Sequence, residues 1–155
     1  MRSLAAALVL VTCAASAGRA QQRATAADVV TVEHLRAVAD SLPPGPSRTA
    51  QLGKGEGYTY ALTKRDTTGG VERHDEWTDV FVIQSGRATL VSGGAATGAR
   101  EQKHGEWRGG SIEGGARRAL VPGDVVVIPA SVFHQMVLAP GDRVAYLAFK
   151  LALKR

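Results

Sequence analysis

The stretch Gly123-Asp124-Val125-Val126-Val127-Ile128-Pro129-Ala130-Ser131-Val132-Phe133-His134 constrains this chain more than any other. A β-branched run bounded by glycine and proline reads as a buried strand. It is too short for a helix, and it is closed by a residue that cannot donate to a ladder. The Pro-Ala-Ser bend re-aims the backbone so that His134 begins the next strand. A histidine held at a strand end needs partners, and the rest of the chain is read for them.

Short extended segments recur on both sides. Tyr58, Tyr60 and Leu62 alternate with Thr59, Ala61 and Thr63. Thr67 to Gly70 is a turn, Val71 to Asp75 is extended, and Asp79 to Ile83 is a further strand. Gln84-Ser85-Gly86 is expected as a tight turn that makes Ala88 to Val91 the hairpin partner of the preceding strand. Residues 92–115 are rich in glycine, with Trp107 and Ile112 as their few apolar anchors. Arg117 to Val121, Gln135 to Leu138 and Val144 to Leu153 follow, and in the last Ala145, Leu147, Phe149, Leu151 and Leu153 share one face. Many short strands with glycine turns define an all-β sandwich or barrel. None of the glycine-rich loops joins a strand to a helix as a phosphate cradle requires.

Ahead of these strands lie three pieces. Arg2, the apolar or small run Leu4 to Ala17 and Gly18-Arg19-Ala20 read as an export leader over residues 1–20, cut after Ala20 or after Ala17. The apolar run is short for a membrane span, and Leu10-Val11-Thr12-Cys13 only faintly follows a lipoprotein box. Cleavage would remove the single cysteine, Cys13, and with it disulfides and Cys-ligated zinc. It would also remove Arg2 and Arg19, two of 19 basic residues set against 14 acidic ones, taking the formal charge from +5 to +3. The remaining cations are scattered and not interleaved with aromatics, so nucleic acid is not an expected partner. The expectation is a periplasmic or secreted protein, with no membrane partner once the leader is gone. Residues 21–50 are expected to hold a helix and a proline linker. Thr31 caps the helix, which runs to Ala39 or Asp40, with Glu33 in its first turn and Val32, Leu35, Val38 and Leu42 as its stripe. Pro43-Pro44-Gly45-Pro46 ends it, and residues 51–155 form the β domain.

The opening stretch resembles the second signature of the cupin superfamily: glycine, five residues, proline, one residue, glycine, two residues, histidine. Gly123, Pro129 and His134 match it, with Ser131 in place of the second glycine. Glu72-x-His74-x4-Asp79-x6-Gly86 fits the first signature in spacing, with Glu72 at the first histidine and Asp79 at the glutamate. The resemblance covers roughly residues 55–153. It implies a jelly-roll barrel of double-stranded β-helix type, a divalent metal held by His74, His134, Asp79 and Glu72, and a small-molecule ligand. It further implies oxygenase or isomerase chemistry if the protein is an enzyme, and a homodimer paired through an edge strand.

The residues support a metal on chemical grounds as well. Positions two apart on a strand face one way, so Glu72 and His74 reach one point. Two imidazoles with one or two carboxylates suit Fe(II), Mn(II), Zn(II), Ni(II) or Cu(II) without choosing among them. Asp79 is shorter than glutamate and reads either as a ligand or as a residue that orients one. Glu72 is open between ligand, general base and surface charge, and Glu76 is an off-register alternative to it. His34 and His104 read as surface residues. Trp107 and Arg108 read either as a loop facing a ligand at the barrel mouth or as surface cover. Tyr58, Tyr60, Phe81, Phe133 and Met136 divide between pocket wall and core. The rival reading is a binding module that captures a sugar-like ligand without turnover.

Overall fold

The computed structural model describes residues 27–153, and the leader expected over residues 1–20 lies outside them. One helix, α1 (Val32–Ser41), precedes thirteen strands. These are β1 (Arg48–Gly55), β2 (Tyr58–Arg65), β3 (Glu72–His74), β4 (Trp77–Gly86), β5 (Ala88–Ser92), β6 (Ala95–Thr97) and β7 (Arg100–Lys103). After them come β8 (Glu106–Arg108), β9 (Ser111–Glu113), β10 (Ala116–Leu120), β11 (Val125–Ile128), β12 (His134–Val137) and β13 (Val144–Ala152). Two sheets, ordered β1-β2-β13-β4-β11 and β10-β5-β12-β3-β8-β7, face each other as a jelly roll, and β6 and β9 form a separate ribbon. Every pairing is antiparallel.

One end of the interior is a hydrocarbon core in which Phe81, Ile83, Leu90, Leu120, Ile128, Met136, Leu138, Val144 and Tyr146 pack together. The other end is polar and holds the site. This division explains two departures from the sequence reading. Arg48, Thr49 and Ala50 lie in the segment read as linker, yet Arg48–Gly55 is one strand that pairs with β2 along its length, and Thr49 and Gln51 line the polar end. In β13 the apolar set Ala145, Leu147, Phe149 and Leu151 alternates with Tyr146, Ala148 and Lys150, and it is the latter set that lines the interior.

Three further expectations are corrected. Ala88–Ser92 is not the hairpin partner of β4: strand geometry persists through Gly86, and at Arg87 the chain crosses into the other sheet, where β5 pairs with β10 and β12. The Val-rich run of β11 is not buried throughout, since it is an edge strand pairing only with β4, and Val125 and Val127 are 63% and 61% exposed. In α1 only Leu35 of the expected stripe is buried, and Val32 is exposed. The Thr31 cap is formed, its hydroxyl accepting from His34 N at 3.2 Å. The helix has no cation in its last turn, and Lys64 of β2 supplies one, donating to the carbonyls of Ala39 and Leu42 at 3.1 Å each. No helix among the described residues is long and apolar enough to cross a membrane.

Gly86 makes the crossing possible. Its φ is +73°, and a Cβ there would stand 1.9 Å from the carbonyl oxygen of Arg143, which also accepts from Arg87 N at 2.9 Å. Gly57 shares the positive φ (+75°) but has open space around it. Gly86→Ala is therefore expected to destabilise the protein by more than the roughly 1–3 kcal/mol of backbone strain alone. Gly57→Ala should lose only the strain, and denaturant unfolding of the two variants checks the difference.

Candidate metal centre

The bend before β12 positions His134. Ser131 has φ +65°, where a signature glycine would sit without strain. Its amide donates to His74 O at 2.8 Å and its hydroxyl to Asp75 Oδ1 at 2.9 Å, so the bend is fastened to the end of β3. His134 then enters the sheet opposite Glu72, and Glu72 has Arg108 of β8 opposite on its other side. His74 stands opposite Glu106, and across the barrel Asp79 of β4 stands opposite Lys150 of β13. Each of these cross-strand neighbours lies within side-chain reach.

The two imidazoles are buried, 2% and 3% exposed, with ring centroids 5.7 Å apart. His74 Nδ1 is 2.7 Å from Glu106 Oε2, and His134 Nδ1 is 3.1 Å from Val132 O. A carbonyl and a carboxylate only accept, so each ring places a proton on Nδ1 and turns its Nε2 toward the interior. Neither Nε2 has a hydrogen-bond partner. Both lie 3.4 Å from Asp79 Oδ2, and His74 Nε2 lies 3.6 Å from Glu72 Oε2. Glu72, His74 and His134 each offer a donor atom, all within 4.8 Å of one another. Around one ion bound at about 2.0–2.2 Å, ligand atoms stand roughly 3–3.6 Å apart, so this donor set fits a divalent metal. Held Nδ1 protons and free Nε2 atoms are the arrangement metal-binding histidines adopt.

Both carboxylates also meet cations. Asp79 Oδ1 accepts from Lys150 Nζ at 2.9 Å. Glu72 lies between Arg65 Nη2, 3.1 Å from Oε1, and Arg108 Nη1, 2.6 Å from Oε2. Arg65 is itself buried and donates to Tyr146 Oη at 2.9 Å and to Pro46 O at 2.8 Å. Burial opposes ionisation of Glu72, but the nearby His74 ring and the charges of Arg108 and Arg65 outweigh it and hold its carboxyl well below the usual range. Burial lowers the pKa of His134, an effect that Val132 O and Asp79 only partly offset. Beside Glu72 and Asp79 opens a cavity of about 250 Å³, lined also by Thr49, Thr59, Tyr146, Arg108 and Lys150 among others.

Of the four residues expected to hold a metal, Glu72, His74 and His134 form the candidate group, Asp79 stands outside it at 3.4 Å from both imidazoles, and Glu72 rather than Glu76 faces the histidines. Glu76 lies in the bend between β3 and β4, where its carbonyl accepts from Leu153 N at 3.0 Å. Glu106, Arg108, Arg65 and Lys150 complete the site, and the first two come from the glycine-rich insert. Trp107, between them, points to the outer face, where Arg73 lies over its ring and over Phe133, at 4.8 and 5.0 Å from the centroids. It is surface cover, whereas Arg108 lines the cavity. Phe81 also lines the cavity, Met136 is core and Tyr58 is exposed.

No family model matches the sequence, and no curated protein is similar to it. Solved structures share its fold. A cupin 2 conserved barrel domain protein from Salinispora arenicola is 20% identical and superposes with a TM-score of 0.51, over 81% of this chain and 89% of its own. A cupin domain from Schizosaccharomyces pombe is 10% identical at a TM-score of 0.54, over 74% and 67%. A predicted oxalate decarboxylase from Thermotoga maritima is 14% identical at 0.53, over 74% and 96%. The likeness defines the class by architecture: this chain is a jelly-roll barrel of the cupin type.

The pKa directions give the metal-free protein a pH dependence. Below the ordinary histidine value near 6.5 an unfolded His134 binds a proton that the folded protein resists. Stability is therefore complete above that value and falls as pH drops through it, while the contribution of Glu72 is lost only below the ordinary carboxylate value of 4.5. The thermal midpoint of metal-free protein should fall between about pH 7.5 and pH 5.5. His134→Gln should flatten that decline.

Proposed function

We propose that the protein is an exported metal-dependent cupin that binds a small oxygenated organic molecule beside its histidine pair and acts on it as an oxygenase or isomerase. The observation that carries this reading is the pair of buried, unpartnered Nε2 atoms of His74 and His134, both directed at Asp79 Oδ2. An orphaned buried nitrogen is costly, and two converging on one carboxylate oxygen are satisfied together by one cation. The leader-like residues 1–20 support export.

His74 and His134 would hold the metal with Asp79, and Glu72 would complete the set. A divalent ion there would supply Lewis acidity or a place for dioxygen. The protein's own part is to keep both imidazoles oriented through Glu106 and Val132 O, and to place the ligand in the cavity formed by β1, β2 and β13. Glu72 is a weak proton acceptor where it stands, because Arg65 and Arg108 stabilise its ionised form. It serves better as a fixed negative charge than as a general base.

Metal analysis tests the reading. Protein equilibrated in turn with Fe(II), Mn(II), Zn(II), Ni(II) and Cu(II), then dialysed, should retain about one ion of at least one of them per chain and gain thermal stability from it. His74→Ala and His134→Ala should each lose that ion while keeping the far-ultraviolet circular dichroism of the fold. Wild-type protein that retains none of the five metals would sink the proposal. With the ion in place, oxygen uptake across small oxygenated substrates separates oxygenase from isomerase or non-catalytic binder.

A further inference from the structure

The charged side chains around the histidines balance. The carboxylates Glu72, Asp79 and Glu106 meet the cations Arg65, Arg108 and Lys150, every cation within 3.4 Å of a carboxylate oxygen. These three carboxylates and three cations cancel one another before any metal arrives. A divalent ion leaves them with two surplus positive charges in a partly closed cavity, an unfavourable state unless an anion enters with it.

The three cations are not equivalent. Arg65 is buried and fixed by Tyr146 and Pro46 as well as by Glu72. Arg108 and Lys150 keep 40% and 34% of their side chains exposed and line the cavity. They also hold the two carboxylates that a metal would claim: Arg108 contacts Glu72 Oε2, the oxygen facing His74, and Lys150 holds Asp79, whose other oxygen faces both histidines. Metal at the histidines draws those carboxylates toward itself and leaves Arg108 and Lys150 under-compensated beside the cavity. Next to them stand hydroxyls of the inner sheet face, Thr49 and Thr59, with Ala61, Ala148 and Phe81 supplying apolar wall. That lining suits a hydroxylated ligand with negative charge better than a neutral sugar.

We propose, building on the metal-dependent reading above, that the cavity takes a small hydroxylated carboxylate. Its charged end is held by Lys150 and Arg108, its hydroxyls face Thr49 and Thr59, and its binding is coupled to that of the metal. The coupling is reciprocal by linkage: each ligand tightens the other by the same factor.

Calorimetric titration of full-length protein tests this, using dialysed zinc-loaded and metal-free samples. The probes are glycerate, malate and gluconate, with glucitol as the neutral counterpart of gluconate. At least one acid should bind the loaded protein about tenfold or more tighter than it binds the metal-free protein, a coupling of ordinary size, and gluconate should bind tighter than glucitol. Lys150→Met and Arg108→Met should retain zinc but each weaken the acid by about tenfold. Three results overturn the inference while leaving the metal site standing: zinc retained with no acid bound, glucitol bound as well as gluconate, or acids bound equally by both variants and the wild type. Protein that retains another of the five ions in place of zinc is titrated with that ion bound; protein that retains none removes the metal on which the inference rests, and the inference falls with it.

Discussion

The site depends on the register of a three-residue strand. In β3, Glu72 stands between His134 and Arg108, and His74 stands opposite Glu106. A slip of one residue would turn Arg73 inward and carry both ligand candidates to the outer face. So short a strand has little ladder of its own to prevent this. The hold comes from the other face, where Arg73 lies against Trp107 and Phe133 and pairs with Asp75 at 2.6 Å. Asp75 in turn accepts from Trp107 Nε1 and from the Ser131 hydroxyl. The outer clasp involves three separate chain segments and fixes how the inner residues meet.

Within the barrel, opposite charges are interleaved so that no carboxylate is buried without a cation. Asp79 is 3% exposed, and Lys150 offsets the cost of burying its charge. The arrangement gives the metal-free barrel a stable polar interior, and it explains why that end is filled by Arg65, Tyr146 and threonines while Ile83, Leu120 and Val144 gather at the other.

Much of this was legible in the sequence where spacing is local. The strand, bend and histidine of 123–134 could be read from residue order, and the period of two placed Glu72 beside His74. Reading Asp79 required the motif spacing, since nothing near it in sequence announces a site. Arg48–Gly55 and Lys150 were missed for one reason: the rule that apolar residues face inward reverses where the interior is a polar cavity. Thr49 therefore looks like linker, and the outward apolar face of β13 looks like core. Glu106 and Arg108 had only the signal of two charges flanking a tryptophan in a glycine-rich segment. Their role follows from a pairing with β3 across more than thirty residues of chain, which no local pattern encodes.

The position of β8 has an evolutionary consequence. The histidines, Asp79 and Lys150 belong to the barrel, but Glu106 and Arg108 come from a strand attached to it along β3 alone, with only β7 beyond. Substitutions in that appended segment can change the charge beside the histidines while every barrel strand keeps its sequence. What the cavity recognises can therefore be retuned at two insert positions without altering the barrel that carries the histidines.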